Sequence, residues 1–214
     1  MASLVAENLS FGYDSPILEN VTFSLNAGET LSIMGVSGSG KSTLLHILSS
    51  FLKPQSGVVK LLGKDIYQLP QSELLTLRRN EIGIIFQSHY LFLGFSAEEN
   101  LEVASLLSNQ KIDHELLSLF GILETLPLNV SALSGGQQQR LSIARILTKR
   151  PKIIFADEPT GNLDRETAFG VMELLFDYVR LTQSLLVFVT HDPILARKAL
   201  HSYRLEHASL KSLE

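Results

Sequence analysis

The chain has 214 residues, a formal net charge of −4 and no cysteine, with a pI near 5.9. A chain of that size is expected to fold as one domain burying about 70% of its extended surface. The acidic balance argues against an electrostatic nucleic-acid binder, and the lack of cysteine excludes disulfides and thiolate metal sites.

From the N-terminus, Met1–Glu7 has neither a basic segment nor a long apolar core, so no signal peptide is expected. No apolar run is long enough to cross a bilayer. Hydrophobic residues nevertheless make up 45% of the chain and mean hydropathy is +0.18, which calls for a buried parallel sheet or an apolar docking face.

Leu9, Phe11 and Tyr13 alternate with polar or small residues, as do Val21, Phe23 and Leu25, the period of half-buried antiparallel strands. Asn26-Ala27-Gly28 marks a turn. Leu31, Ile33 and Met34 then read as a buried strand, and Thr43–Leu48 as a helix. A turn at Pro54–Gly57 precedes a strand at Val58–Leu62; a helix is expected over Ser72–Arg79 and a buried strand over Ile82–Phe86, ending at Gln87.

From about Ser96 to Thr148 the periodicity is helical, with Leu101, Ala104 and Leu107 on one face and Leu116, Leu117 and Phe120 on another. Strand texture returns at Ile153–Ala156 and Leu185–Val189, with helices expected over Arg165–Leu181 and Pro193–Leu200. Strands alternating with helices predict an α/β fold built on a mostly parallel sheet. The expected division is one domain over 1–214, with a core of about 1–87 and 149–214 and an inserted helical subdomain of about 88–148.

Between the third strand and its helix lies Gly35-Val36-Ser37-Gly38-Ser39-Gly40-Lys41-Ser42-Thr43. It fits the P-loop pattern of Gly, four residues, Gly, Lys and Ser/Thr in its required strand–loop–helix context. Such a loop wraps a polyphosphate with backbone N–H groups at a helix N-terminus, and glycines let the main chain approach. Lys41 is placed for the β- and γ-phosphates and the Ser42 hydroxyl for Mg²⁺.

The strand Ile153–Ala156 runs into Asp157 and Glu158, two carboxylates at the edge of the sheet where such folds bind ligands. Asp157 is suited to hold Mg²⁺, and Glu158 to orient and polarise an attacking water. Further upstream, Leu133-Ser134-Gly135-Gly136-Gln137-Gln138-Gln139-Arg140 opens an amphipathic helix carrying Leu141, Ala144 and Leu147. Ser134 is placed to cap it, and Gly135 and Gly136 let backbone approach an anion.

Together these residues resemble the nucleotide-binding ATPase of the ABC transporter family. Leu133–Gln137 matches its Leu-Ser-Gly-Gly-Gln signature, Tyr13 its adenine-stacking aromatic, Gln87 its Q-loop glutamine, Gly161-Asn162-Leu163-Asp164 its D-loop and His191 its switch histidine. The resemblance spans the chain. It implies a P-loop ATPase core, RecA-like, with an antiparallel β subdomain and the inserted helices. It also implies ATP and Mg²⁺ as cofactors, with Ser42, Gln87 and Asp157 at the metal and Glu158, His191 and Lys41 in hydrolysis. ATP binding would fall to Tyr13 and to Gly35 through Thr43. Ser134, Gly135, Gly136 and Gln137 would complete the ATP site of a second subunit in a homodimer, with Asp164 contacting the partner.

The short span from Thr43 to Leu133 leaves no room for a long coiled coil, and there is no second P-loop. That implies an ATPase working for an integral membrane permease at the cytoplasmic face of an inner membrane, with no nucleic-acid partner. The run Asp157–Asp164 is similar to the branch holding lipoprotein-release, macrolide-export and cell-division ATPases, and Phe86–Asn100 looks most like the lipoprotein-release type. Macrolide export, cell division or a soluble ATP-gated clamp on nucleic acid or ribosome are the alternatives. The aromatic cluster at 86–95 would receive a segment of the permease. The C-terminal Leu205–Leu210 lacks the Asp-Gly turn common in that branch.

Overall fold

A computed structural model describes residues 2–213. Met1, with which the stretch inspected for a signal peptide begins, lies outside the described residues. Strands β1 (Leu4–Gly12), β2 (Pro16–Leu25), β4 (Ser56–Leu61) and β5 (Lys64–Asp65) form an antiparallel sheet in the order β2-β1-β4-β5. Alternation puts Leu4 and Ala6 on the inner face; an irregularity at Asn8, with φ of 51°, shifts the phase by one, so that Leu9 and Phe11 join them beside Val21, Phe23 and Leu25, all buried. This is the expected antiparallel subdomain.

The second sheet has six strands in the order β10-β9-β3-β8-β7-β6. β3 (Thr30–Met34), β6 (Ile82–Ile85), β7 (Ile153–Asp157), β8 (Leu185–Val189) and β9 (His201–Glu206) run parallel, and β10 (Ser209–Ser212) closes one edge antiparallel. Successive side chains leave a strand on opposite faces. Ile153, Phe155, Val187 and Val189 therefore enter a core shared with Leu44, Leu45 and Leu48 of α1 (Lys41–Leu48) and with the antiparallel sheet. Ile154, Ala156, Leu186 and Phe188 enter a second core, with α5 (Gly135–Leu147) and α6 (Arg165–Thr182). Both faces are covered, which is why β7 and β8 are continuous apolar runs.

Between β6 and β7 the regular elements are α3 (Ala97–Ser108), α4 (His114–Leu119), 3-10 turns at Leu123–Thr125 and Val130–Ala132, and α5. Ser96 and Glu99 form a reciprocal capping box at the start of α3, and the Asp113 carboxylate caps α4. On the other side of the chain, α2 (Gln71–Asn80) leads into β6. The expected α3 stripe divides: Leu101 is fully buried, whereas Leu107 is 63% exposed, because the far end of the helix runs beyond the core. Among the described residues no helix is long and apolar enough to cross a membrane.

Two expectations change at the C-terminal end. The helix expected to reach Leu200 is the single turn α7 (Pro193–Ala196). The Leu200 N–H donates to Thr30 Oγ1 at 2.8 Å and His201 enters β9 beside Leu31, so pairing with the sheet overrides helical continuation. The missing Asp-Gly does not abolish a hairpin: His207 and Ala208 take φ of 47° and 61°, and β9 and β10 pair around them. The Ala208 carbonyl accepts from the Glu19 N–H at 2.8 Å, joining the hairpin to β2 of the other sheet.

Candidate nucleotide site

Residues 35–40 leave the carboxyl end of β3 and enter α1. Gly38 has φ of 76° with nothing within 4 Å of the place a Cβ would occupy, so it is the backbone conformation that requires glycine. Gly40, at φ of 99°, caps α1, and a Cβ there would collide with Ile17 Cγ2 and lie 3.4 Å from Leu205 Cδ2. Lys41 is buried, its ammonium donating to the Gly35 and Val36 carbonyls at 2.9 Å each. The loop is curled around that cation. Burial pushes the Lys41 pKa below its ordinary value, against the opposing pull of Glu158 and Asp157. Val36, Ser37 and Gly38 form the exposed crown; the Ser39 hydroxyl inside it is buried without a hydrogen-bond partner. Thr43 follows on the first turn of α1, half-buried.

Asp157 ends β7, and its Oδ1 accepts from the Ser42 hydroxyl at 3.2 Å. Glu158 turns out of the strand with φ of 46°, a conformation unusual for a side chain of its size. It is held there because its N–H donates to the Val189 carbonyl at 3.2 Å and its carbonyl accepts from the Gly161 N–H at 3.0 Å. Its carboxylate meets His191 Nε2, beyond the end of β8. Gln87 follows β6 and approaches from the other side: a Cβ on Gly161 would lie 3.1 Å from its side-chain nitrogen and 3.4 Å from Glu158 Oε2. Asn162 donates to the Gln87 carbonyl at 3.2 Å. Glu158, Gly161, Thr190 and His191 line a cleft of about 370 Å³. The ends of β3, β6, β7 and β8 thus bring Lys41, Ser42, Gln87, Asp157, Glu158 and His191 to one edge of the parallel sheet.

Tyr13 stands outside that cluster, 75% exposed, with its ring edge-on to Phe11 at 5.2 Å between centroids. Sequence reasoning missed what supports it: Gln55 Nε2 donates to the Gly12 carbonyl at 2.8 Å and fixes the turn before Tyr13.

Ser134 caps α5, its hydroxyl accepting from the Gln137 N–H at 3.3 Å while Gln137 Oε1 accepts from the Ser134 N–H at 2.8 Å. Ser134 and Gly135 are exposed, and Gly136 faces the Thr167 methyl, 3.2 Å from where a Cβ would sit. Among the described residues no hydrogen bond joins Ser134 to the P-loop. Asp164 caps α6, accepting from the Thr167 N–H at 3.0 Å and hydroxyl at 2.6 Å. These bonds, the hydroxyl first, hold its carboxyl below the usual carboxylate range. Gln139, also missed, is buried two residues beyond the signature and donates its amide to the Pro159 carbonyl. Nothing in the helical period separates it from its neighbours Gln137 and Gln138.

The aromatic stretch divides into the pairs Phe86–Tyr90 and Phe92–Phe95, with centroids 5.2 and 5.4 Å apart. Tyr90 and Leu93 are 67% and 63% exposed.

A P-loop with a buried lysine, a hydroxyl–carboxylate pair beside it and a glutamate–histidine pair at the same sheet edge defines an ATP-binding cassette. Residues 18–161 match the ABC transporter family. The chain is 41% identical over 210 residues to the lipoprotein-releasing system ATP-binding protein LolD of Leptospira interrogans, covering 96% of this chain and 88% of that one. It is 38% identical over 220 residues to LolD of Bordetella pertussis, covering 98% and 95%. Its fold is similar to the dimeric post-hydrolysis structure of the ATP-binding cassette MJ0796 bound to ADP and Pi, with a TM-score of 0.87 and 32% identity over 99% and 98% of the two chains. The chain belongs to the ABC transporter family, and it is an ATPase of that family.

Proposed function

We propose that the chain is the ATP-hydrolysing subunit of a lipoprotein-releasing transporter, peripheral to the cytoplasmic face of an inner membrane through a permease partner. The observation that carries this reading is the likeness to LolD proteins over nearly the whole chain, and the gathering of Lys41, Ser42, Asp157, Glu158 and His191 at one sheet edge supports it. Macrolide export, cell division and the soluble clamp are not favoured by these relatives.

Lys41, now bonded to its own loop, would turn to the β- and γ-phosphates as the loop N–H groups close on them. Tyr13 would stack on the adenine. The Ser42 hydroxyl and Asp157 carboxylate, 3.2 Å apart, are hard oxygen donors suited to Mg²⁺, with Gln87 as a third. So few protein oxygens match an ion that keeps waters and phosphate oxygens in its shell. When bound, Mg²⁺ neutralises charge on the phosphates. Glu158 would accept a hydrogen bond from the attacking water, and His191 would hold the Glu158 carboxylate in place.

Ser134 and Gly135, exposed, and Gly136 and Gln137, half-buried beside them, would face the nucleotide of a second copy, with Asp164 at the same interface. Binding of ATP between two such faces would draw the subunits together, and hydrolysis would release them. We also propose the division into a core of about 1–87 and 149–214 and a helical insertion of about 88–148.

Tagged Glu158→Gln protein, extracted in mild detergent with ATP, tests the reading. Recovery of a lipoprotein-release permease supports it. Recovery of soluble proteins or RNA alone would overturn it in favour of the clamp.

A further inference from the structure

Lys149, just beyond the end of α5, lines a groove of about 480 Å³ between α2, α3 and α5 that contains none of the nucleotide cluster. The lining is largely apolar, with Leu75, Val103, Leu107 and Ile146 among its members. Half-buried in that setting, the Lys149 amine is pushed down to about 8 by burial. The other charged groups on the groove are all cations, Arg78 and Arg79 from α2 and Arg145 from α5, and no carboxylate reaches it from any of the three helices.

Among the described residues none of these four cations is in an ion pair. Lys149 Nζ donates to the Arg78 carbonyl at 2.8 Å, which uses one proton of a neutral amine and leaves its lone pair free. Arg78 is turned to Ser50 and Arg145 reaches the His89 carbonyl at 3.4 Å, whereas Arg79 is exposed. In a chain of net charge −4, four cations without counter-ions around one apolar groove run against the overall balance. Guanidinium groups hold phosphate oxygens in a two-pronged geometry. A nucleophile and an anion site therefore share one groove.

We propose that Lys149 is an acylation site, its amine attacking an acyl phosphate whose phosphate is held by Arg79 and Arg145. The nitrogen lone pair forms a bond to the acyl carbon, the carbon–oxygen bond to phosphate breaks, and phosphate leaves with that electron pair. The nitrogen then loses a proton to water, and a neutral amide replaces the amine. At pH 7 an amine titrating at about 8 is neutral in about one molecule in ten, against about one in 2,500 for an ordinary lysine near 10.4. With a Brønsted slope like that of thiols, the lower basicity offsets about half of this gain on a logarithmic scale, leaving about 10–20-fold.

The test uses the purified full-length protein and acetyl phosphate at pH 7, with acetylation rates resolved by site in peptide mass spectrometry. Lys53 and Lys111, exposed and without ion pairs among the described residues, are the internal references. Lys149 should react about tenfold faster than either, its rate saturating with acetyl phosphate and falling when inorganic phosphate competes. Arg79→Gln should slow Lys149 alone by about two- to fivefold, the worth of an exposed ion pair. A Lys149 rate equal to that of the references would overturn the proposal. So would a fast reaction that neither saturates nor responds to phosphate or to Arg79→Gln, because that describes a reactive amine without a donor site. The assay needs neither nucleotide nor permease, so its outcome is separate from that of the transporter reading.

Discussion

The Ser42 hydroxyl donates to Asp157 at 3.2 Å although the two residues are 115 positions apart. Parallel pairing places β8 between β3 and β7, with Ile33 and Asp157 opposite Val189 from its two sides. That register brings a hydroxyl from the phosphate loop to a carboxylate at a strand end. Asp157→Asn keeps the shape and removes the charge. It is expected to raise the Mg²⁺ concentration for half-maximal ATP hydrolysis by about 10–100-fold, read from turnover against Mg²⁺; an unchanged midpoint would remove Asp157 from the metal.

The Glu158 carboxylate lies against His191 Nε2. Glu158→Gln should reduce turnover by about 10²–10⁴-fold while ATP still binds, and ATP-dependent dimers should accumulate in sedimentation. Turnover within twofold of the parent, roughly, would show that the water is activated elsewhere.

Gly40 is confined by Ile17 from β2 and Leu205 from β9. Gly40→Ala would force a side chain onto Ile17 at a φ of 99°, a strain of about 1–3 kcal/mol. The expected result is roughly tenfold weaker binding of a fluorescent ATP analogue, with the loop displaced. Leu205→Ala, which removes a fully buried side chain, should cost about 2–5 kcal/mol and lower the melting temperature by several degrees.

Gln139 ties α5 to the turn after Glu158 through the Pro159 carbonyl. Gln139→Leu would leave that carbonyl without its donor, a penalty of about 1–3 kcal/mol. Both melting temperature and turnover should fall; unchanged values in a thermal melt and a turnover assay would show that the bond braces nothing.

Lys149 titrates at about 8 in the fold, below the ordinary lysine value of about 10.4. Between those values the unfolded chain binds more protons than the folded one, so this residue's contribution to stability rises with pH. Lys149→Met is therefore expected to stabilise the isolated protein at pH 7, and the advantage should shrink as pH is raised from about 8 towards 10.4. Denaturant melts at successive pH values check this, and a pH-independent difference would refute it.

The P-loop, the acidic end of β7, the signature cap and the strands 153–157 and 185–189 were legible because each is a contiguous pattern with a local cause: glycine dihedrals, a capping side chain, or an apolar run. The helix expected over Pro193–Leu200 stops at Ala196 because Leu200 and His201 are recruited by the edge of β3. Strands β9 and β10 were not read at all, since their side chains are mostly half-exposed and the turn between them uses His207 and Ala208.

By itself the sequence determined which residues can cradle a phosphate and where acids and a histidine leave the sheet, because those requirements act over a few successive residues. Only the tertiary structure decided that Leu205 and Ile17 wall in Gly40, that Gln55 and Gln139 brace the turns beside the site, and that four cations gather around an apolar groove. Each of these joins segments distant in the chain, and such contacts follow from strand register and packing of whole elements, which periodicity does not specify.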